Sequence, residues 1–316
     1  MENQKPIVTI TMNPAVDVSV AVNQVTPDLK LRCSQPREEP GGGGINVSRA
    51  ISRLGGQSRC YYTFGGANGN LFETLIEKEQ IPGTSMKVAG LTRQSFTVME
   101  ETSGRQYRFT MPGPLLDQKE WESVLKTIES LHPVPSFIVA SGSLPPGVPD
   151  DFFGRLSKIA KQKDIRCIVD TSGRPLRKAV EAGVFLLKPN MRELQDLLQQ
   201  QVENEEQQVR AAKQLIGGGK AHMVVLSLGA GGALFVSAEQ TAHLRSPSVP
   251  IRSKIGAGDS MVAGIVLALA RGYPPLEAAR YGVACGAAAV MTEGSELCKR
   301  EDAERLFREL ERKNNL

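Results

Sequence analysis

A chain of 316 residues, 41% of them hydrophobic, can bury a sizeable core, and α/β folds of this length occur undivided. Its 38 Lys and Arg against 34 Asp and Glu leave a formal charge of +4. That charge is spread without a basic block or a basic–aromatic alternation, which argues against nucleic acid and leaves room for small anionic partners.

Apolar runs such as IVLALA (265–270) are too short to cross a bilayer, so no membrane partner is expected. The start MENQKPIVTIT lacks the marks of a secretory leader. Five separated cysteines (Cys33, Cys60, Cys167, Cys285, Cys298) form no CxxC pair, and His132, His222 and His243 show no metal-ligand spacing. A cytoplasmic protein with reduced, packing thiols is the expectation.

In chain order, IVTITM (7–12) reads as the first buried strand and leads to Asn13 and Asp17. Residues 18–40 then alternate apolar and polar positions, as does the later stretch 94–110. Both predict exposed antiparallel strands of a small sheet projecting as a lid. Its apolar face would need cover from a ligand or a second subunit, so a homodimer through the lid is expected.

Between these stretches, PGGGGINVSRAISRLGG (40–56) runs into a helix beginning near Ile45 and Asn46. Four glycines are unsuited to a strand or helix interior. They serve either as a flexible hinge or for close backbone approach to a ligand held by free amides and Asn46.

SFIVASG (136–142), RCIVD (166–170), VFLLKPN (184–190) and MVVLSLG (223–229) continue the strand series, most of them followed by helix-like stretches. That alternation predicts βαβ units and a largely parallel sheet, with ligands beyond the carboxyl ends of the strands. Polar residues cluster there: Asn13 and Asp17, Ser141 to Ser143, Asp170, Lys188 and Asn190, Ser227 and Gly229. QQQVENEEQQ (199–208) reads as a solvated turn between helices, and the charged tail from Glu301 as an amphipathic surface helix. No repeat or linker divides the chain, so residues 1–316 form one expected domain, its β lid drawn from about 18–40 and 94–110.

Two motifs admit two readings each. In SKIGAGDSMVAG (253–264), Asp259 is either an N-cap or a proton acceptor beside an anion-binding turn of backbone amides. In KPNMREL (188–194), Asn190 and Glu193 form either a capping pattern or hard ligands for Mg²⁺. GxGxxG entering a helix and GxxxxGK[ST] are both absent, which argues against a dinucleotide site and a P-loop.

GGGGINVSRA, KPNMREL, SLGAGGAL (227–234) and IGAGDSMVAG, in that order, make the chain similar to the PfkB/ribokinase-type sugar kinases over nearly its whole length. TMNPAVD (11–17), KLRC (30–33), EPGGGGIN (39–46), LTRQ (91–94), QYRFTMPG (106–113) and ASGSLPPGV (140–148) extend the likeness to the bacterial phosphofructokinase-2 branch. The related 1-phosphofructokinases and tagatose-6-phosphate kinases usually carry a lysine in the glycine segment, which here is all glycine.

The resemblance implies a ribokinase-like three-layer α/β/α fold with a mostly parallel central sheet and a small projecting β-sheet lid. It implies a MgATP-dependent kinase acting on the 1-hydroxyl of fructose 6-phosphate to give fructose 1,6-bisphosphate, a glycolytic step. Tagatose-6-phosphate kinase and 1-phosphofructokinase are the alternatives, and a non-catalytic sugar-phosphate sensor stands further off.

Carried onto matching positions, the resemblance makes Asp259 the base, with Gly256, Ala257 and Gly258 supplying amides. Asp17, Gly42, Gly43 and Asn46 would hold the sugar. Arg93 would hold its phosphate with Ser143, Lys30 and Arg32. Lys188, Asn190, Ser227, Gly229 and Gly232 would line the ATP site. The helix-like YGVACGAAAV (281–290) suits either an adenine-facing wall or simply close helix packing. Glu193, Asn190 and Asp170 would serve Mg²⁺, partly through water, and Ser253, Ile255 and Gly294 a monovalent cation such as K⁺.

Overall fold

IVTIT is apolar or β-branched at every position and forms β1 (Ile7–Thr11), buried throughout, in a computed structural model that describes residues 4–294 and 296–314. The chain then runs through β2 (Ala15–Val22), β3 (Arg37–Gly41), α1 (Gly43–Arg53), β4 (Arg59–Phe64), α2 (Gly66–Lys78) and β5 (Gly83–Lys87). β6 (Arg93–Glu100), β7 (Gln106–Thr110), α3 (Gln118–Glu129), β8 (Phe137–Ser141), α4 (Phe152–Gln162) and β9 (Arg166–Asp170) follow. Next come α5 (Gly173–Ala182), β10 (Val184–Leu187), α6 (Met191–Leu198), α7 (Glu205–Gly217) and β11 (Ala221–Ser227). β12 (Ala233–Val236), β13 (Thr241–Leu244), α8 (Ala257–Ala270), α9 (Pro275–Val290) and α10 (Arg300–Asn314) complete it.

Nine strands make one sheet in the order β13-β12-β11-β10-β9-β8-β1-β4-β5, parallel except at β11–β12 and β12–β13. Side chains alternate between its faces, which builds two cores from the same strands. Ile7, Phe137 and Val139 join α1, α8, α9 and α10 on one face. Val8, Ile10, Ile138 and Ala140 join α3, α4, α5, α6 and α7 on the other. The layers are α/β/α, and each fully buried Leu, Ile or Phe adds roughly 1.5–3 kcal/mol.

The second sheet has the order β3-β2-β6-β7. It is mixed, a correction to the antiparallel expectation: β2–β3 and β6–β7 are antiparallel, but β2 and β6 run parallel from Ala15↔Arg93 to Val22↔Glu100. Between them the chain returns to the main sheet through α1, β4, α2 and β5, and such a crossover brings β6 in with the direction of β2.

Two local expectations shift as well. Helix α1 begins at Gly43, ahead of Ile45, because its first turn packs against strand ends with no room for side chains. A Cβ on Gly44 would lie 2.5 Å from the Ile10 carbonyl oxygen. The polar stretch 199–208 is only half turn: Asn204 caps α7 by accepting from the Gln207 amide at 3.0 Å, and residues 205–208 are helical.

Candidate active site

The carboxyl ends of the parallel strands converge on one cleft. Ser141 and Asp170 are register partners at the ends of β8 and β9, and Lys188 follows β10. Asn190 bridges to Ser227 at the end of β11. Lys188 is buried, its Nζ 3.4 Å from Asp170 Oδ1. Burial works against its charge, but Asp170, Glu193 and Asp259 together hold the ammonium above its ordinary pKa.

Asp259 lies in the first turn of α8, behind the left-handed N-cap Gly256 (φ 75°). The helix start leaves the Ala257 and Gly258 amides without intrahelical acceptors, and Gly258 faces Lys188: a Cβ there would lie 3.7 Å from Nζ. Asn46 Nδ2 donates to Asp259 Oδ2 at 2.9 Å, which joins two motifs 213 residues apart. Burial, and then the neighbouring Asp170, push the Asp259 carboxyl up to about 6; Asn46, Lys188 and Arg108 pull the other way.

The two predicted glycines of the sugar segment are each required by their surroundings. Gly42 has φ 119°, open to glycine at little cost, and a Cβ on Gly43 would collide with the Ser141 hydroxyl. Gly41, not singled out from the sequence, packs so closely on Asp17 that any Cβ would overlap its carboxylate. Arg49 holds this segment in place. It is 1% exposed, with Nη2 2.8 Å from Glu39 Oε1 and 2.6 Å from Glu79 Oε1, and Nη1 donates to the Pro40 carbonyl at 3.3 Å.

Asp17 stands on the face of the small sheet that turns toward this segment. Burial pushes its carboxyl up to about 6, against the attraction of Arg93, Arg108 and Arg49. Arg93 is more committed than expected: Nε and Nη2 donate to the Asn13 carbonyl at 3.3 and 3.0 Å, and Nη1 to the Met111 carbonyl at 3.1 Å. It therefore braces the backbone and has part of its five-donor fork left for a ligand. Asn13 Nδ2 donates to Ser143 Oγ at 3.0 Å. The buried Thr11 Oγ1 and Asn13 Oδ1 find no hydrogen-bond partner among the described residues. Such atoms cost about 1–3 kcal/mol each unless water or a ligand supplies the bond.

Arg108 was missed as a site residue. It is exposed on β7, yet its charge is felt at both Asp17 and Asp259. The signal was period-two alternation: through Asp17↔Ser95 and Thr97↔Arg108, these side chains share one face. Lys30 and Arg32 lie on the exposed connection 23–36, and the structure does not tie either to the cleft.

On the other side of Gly258 opens a cavity of about 590 Å³, lined by Ser227, Gly229 and Gly232, by Ala257 and Gly258, and by Val283, Gly286, Ala287 and Val290 of α9. The last four repeat at helical spacing, so one face of YGVACGAAAV is cavity wall while the rest packs in the core. Asn190 and Glu193 form a reciprocal capping box: Glu193 N donates to Asn190 Oδ1 and Asn190 N to Glu193 Oε2, both at 2.9 Å. One Glu193 oxygen is left over, and burial raises this carboxyl's pKa.

Among the described residues no group of three or more His, Cys, Asp or Glu could hold a metal. The acidic oxygens of Glu193 and Asp170 beside Lys188 suit a hard ion bound through few protein ligands and several waters. Ser253 Oγ donates to the Gly294 carbonyl at 2.7 Å and accepts from Ile255 N at 3.2 Å, so these three positions do meet. All five cysteines are free; only Cys33 is exposed, and burial pushes Cys60 and Cys167 up to about 12, as for inert packing thiols.

This layout has close counterparts. A Mycobacterium tuberculosis protein named ATP-dependent 6-phosphofructokinase isozyme 2 is 42% identical over 306 residues, covering 97% of this chain and 90% of its own. The Bacillus subtilis 1-phosphofructokinase is 32% identical over 304 residues, 96% of this chain and 98% of its own. The crystal structure of phosphofructokinase-2 from Escherichia coli in complex with fructose-6-phosphate matches with a TM-score of 0.92 at 39% identity, over 97% of this chain and 99% of that one. The same enzyme in complex with potassium matches at 0.93, with the same identity and coverage. The fold is ribokinase-like, and the family model for pfkB carbohydrate kinases matches residues 5–302, which takes in every element around the cleft. The chain belongs to the pfkB family of carbohydrate kinases.

Proposed function

We propose that this carbohydrate kinase transfers the terminal phosphoryl group of ATP to the 1-hydroxyl of fructose 6-phosphate, giving fructose 1,6-bisphosphate. The observation that carries the reading is the Asn46–Asp259 hydrogen bond at 2.9 Å, which fixes a carboxylate where the sugar segment meets the free amides of α8. Phosphoryl transfer calls for positioning and charge neutralisation more than covalent chemistry.

Asp259 takes the proton of the attacking hydroxyl, and its pKa near 6 leaves it charged at neutral pH yet basic enough to accept. The amides of Gly256, Ala257 and Gly258, with the helix dipole behind them, receive charge on the group in transit. Asp17, Gly42, Gly43 and Asn46 orient the sugar. Arg93 and Arg108 face its existing phosphate, with Ser143, Lys30 and Arg32 as further contacts.

The nucleotide occupies the cavity along Ser227, Gly229, Gly232 and the α9 wall, with Lys188 and Asn190 at its phosphate end. Mg²⁺, held by Glu193 and Asp170 through waters and by Asn190, supplies charge neutralisation when bound. A monovalent cation near Ser253, Ile255 and Gly294 fits the potassium complex of the Escherichia coli enzyme.

The test is ADP release with MgATP across fructose 6-phosphate, tagatose 6-phosphate, fructose 1-phosphate, fructose and ribose. Fructose 6-phosphate should turn over best. Equal or better turnover of another ketose phosphate would transfer the assignment to it, and the Bacillus subtilis 1-phosphofructokinase makes fructose 1-phosphate the second choice. No turnover with any sugar would favour the sensor, a role for which Asp259 is not needed.

The small sheet supports a homodimer. Its outer face pairs Phe96 with Phe109, 37% and 52% exposed, and Leu29 on the nearby connection is 65% exposed. A monomeric mass by light scattering at assay concentration would defeat this part. Free thiols and the absence of a helix long and apolar enough to span a membrane, among the described residues, fit a cytoplasmic placement.

A further inference from the structure

The transferring end of the cleft is rich in carboxylates for a site that takes a polyphosphate, even with Mg²⁺ held among them. Asp170, Glu193 and Asp259 surround one lysine, Lys188, whose ammonium is already beside Asp170 at 3.4 Å. A polyphosphate arriving there meets the Asp259 carboxylate, two further carboxylates that MgATP's metal must offset, and a lysine already paired with Asp170. A further fixed positive charge on the nucleotide side would offset part of that repulsion.

The structure holds one. Lys254 sits on the connection between β13 and α8, just ahead of the left-handed N-cap Gly256. It lines the 590 Å³ cavity together with Ala257 and Gly258, and it is the only charged side chain among the described residues that do so. No hydrogen bond or ion pair joins it to another described residue, so its ammonium is uncommitted. Val249, Ile251, Val283 and Val290 give the cavity an apolar wall that suits a base, while Lys254 stands two residues before the N-cap Gly256 and its free amides, at the end where the phosphates meet α8.

We infer that Lys254 is a nucleotide-binding residue that contacts the β- and γ-phosphates of ATP from the cavity rim, opposite Lys188. The inference rests on the assignment of this cavity to ATP. It makes Lys254 a discriminator between nucleotides by phosphate charge: it favours ATP over ADP, and ADP over AMP, whose single phosphate does not reach it. A lysine suits this role, since a flexible stem carrying a point charge can follow phosphates that move during transfer.

The test is calorimetric titration of the full-length wild type, Lys254→Met and Lys254→Arg with ATP, ADP and AMP, backed by steady-state kinetics. Lys254→Met should weaken ATP about five- to tenfold and leave AMP within about twofold, as loss of one charge-assisted contact to the distal phosphates predicts. Lys254→Arg should stay near wild type, and KM for fructose 6-phosphate should not move. The side chain is exposed, so the methionine variant should keep the wild-type melting temperature.

ATP affinity unchanged in Lys254→Met would overturn the inference, as would an equal loss for AMP. The titrations contain no sugar. A wild type that binds ATP but leaves fructose 6-phosphate unphosphorylated therefore removes the sugar assignment alone, and the nucleotide series still decides the role of Lys254.

Discussion

Two clusters of buried charge lie on either side of the glycine segment, and they are built to opposite rules. Arg49 is closed in: it reaches Glu39, Glu79 and the Pro40 carbonyl within 2.6–3.3 Å, and its donors point at groups that stay put. Lys188 is left open: its nearest carboxylate is 3.4 Å away, and three acidic groups share its one charge. The first cluster is complete as it stands and holds β3 against α1 and α2. The second is completed only by positive charge and phosphate from outside. Buried charge marks a site when the count of its partners does not close.

The largest effect expected from breaking this contrast is on stability. Arg49→Leu leaves two carboxylates without their shared partner and should cost about 3–5 kcal/mol in urea unfolding. A loss below about 1 kcal/mol would mean the cluster is not the clamp described here.

Next comes chemistry. Asp259→Asn should lower kcat at least about 10²-fold, or about 2.7 kcal/mol, with little change in substrate binding. Near-normal turnover would remove Asp259 from the mechanism. The same variant should be more stable than wild type at pH 7. A carboxyl whose pKa is raised by folding favours the native state most below its ordinary pKa and loses that favour as pH rises through about 6, whereas asparagine has nothing to lose.

A smaller effect separates the two arginines on the small sheet. Arg108→Ala should raise KM for the sugar phosphate about tenfold, about 1.4 kcal/mol, and spare ATP. Arg93→Ala should do the same and also lower the melting temperature, since Arg93 supports the Asn13 and Met111 carbonyls. An effect confined to ATP would put the phosphate end of the sugar elsewhere.

The gentlest test is pH. Below about 6, kcat/KM should fall toward about tenfold per pH unit if Asp259 alone must be charged, and toward about a hundredfold if Asp17 must be charged with it. A profile flat to pH 5 would show that neither carboxylate must be charged.

Much of this was legible in the residues. Alternating strands and helices specified a parallel sheet, because continuous apolar runs are buried on both faces and sheets of that kind carry helices on each side. GAGD ahead of a helix and polar residues after each strand marked the cleft, because strand ends and helix starts are where backbone groups are free. The order of the motifs supplied the family. Asn190 and Glu193, by contrast, satisfied the capping reading in full, and only their place beside Lys188 and Asp170 leaves the metal reading open.

What the sequence by itself determined was local: where strands run, where a helix starts, which residue types stand at the ends. The tertiary structure decided which of those ends share a charge. It placed Asn46 on Asp259, made Arg49 a buried clamp, put Arg108 on the same sheet face as Asp17 and left Lys254 as the one charged side chain among the described residues of its cavity wall. It also made β2 and β6 parallel, which period-two patterning cannot specify because alternation looks the same in either direction. Coulomb forces and hydrogen bonds depend on separation in space, and a linear pattern carries only separation along the chain.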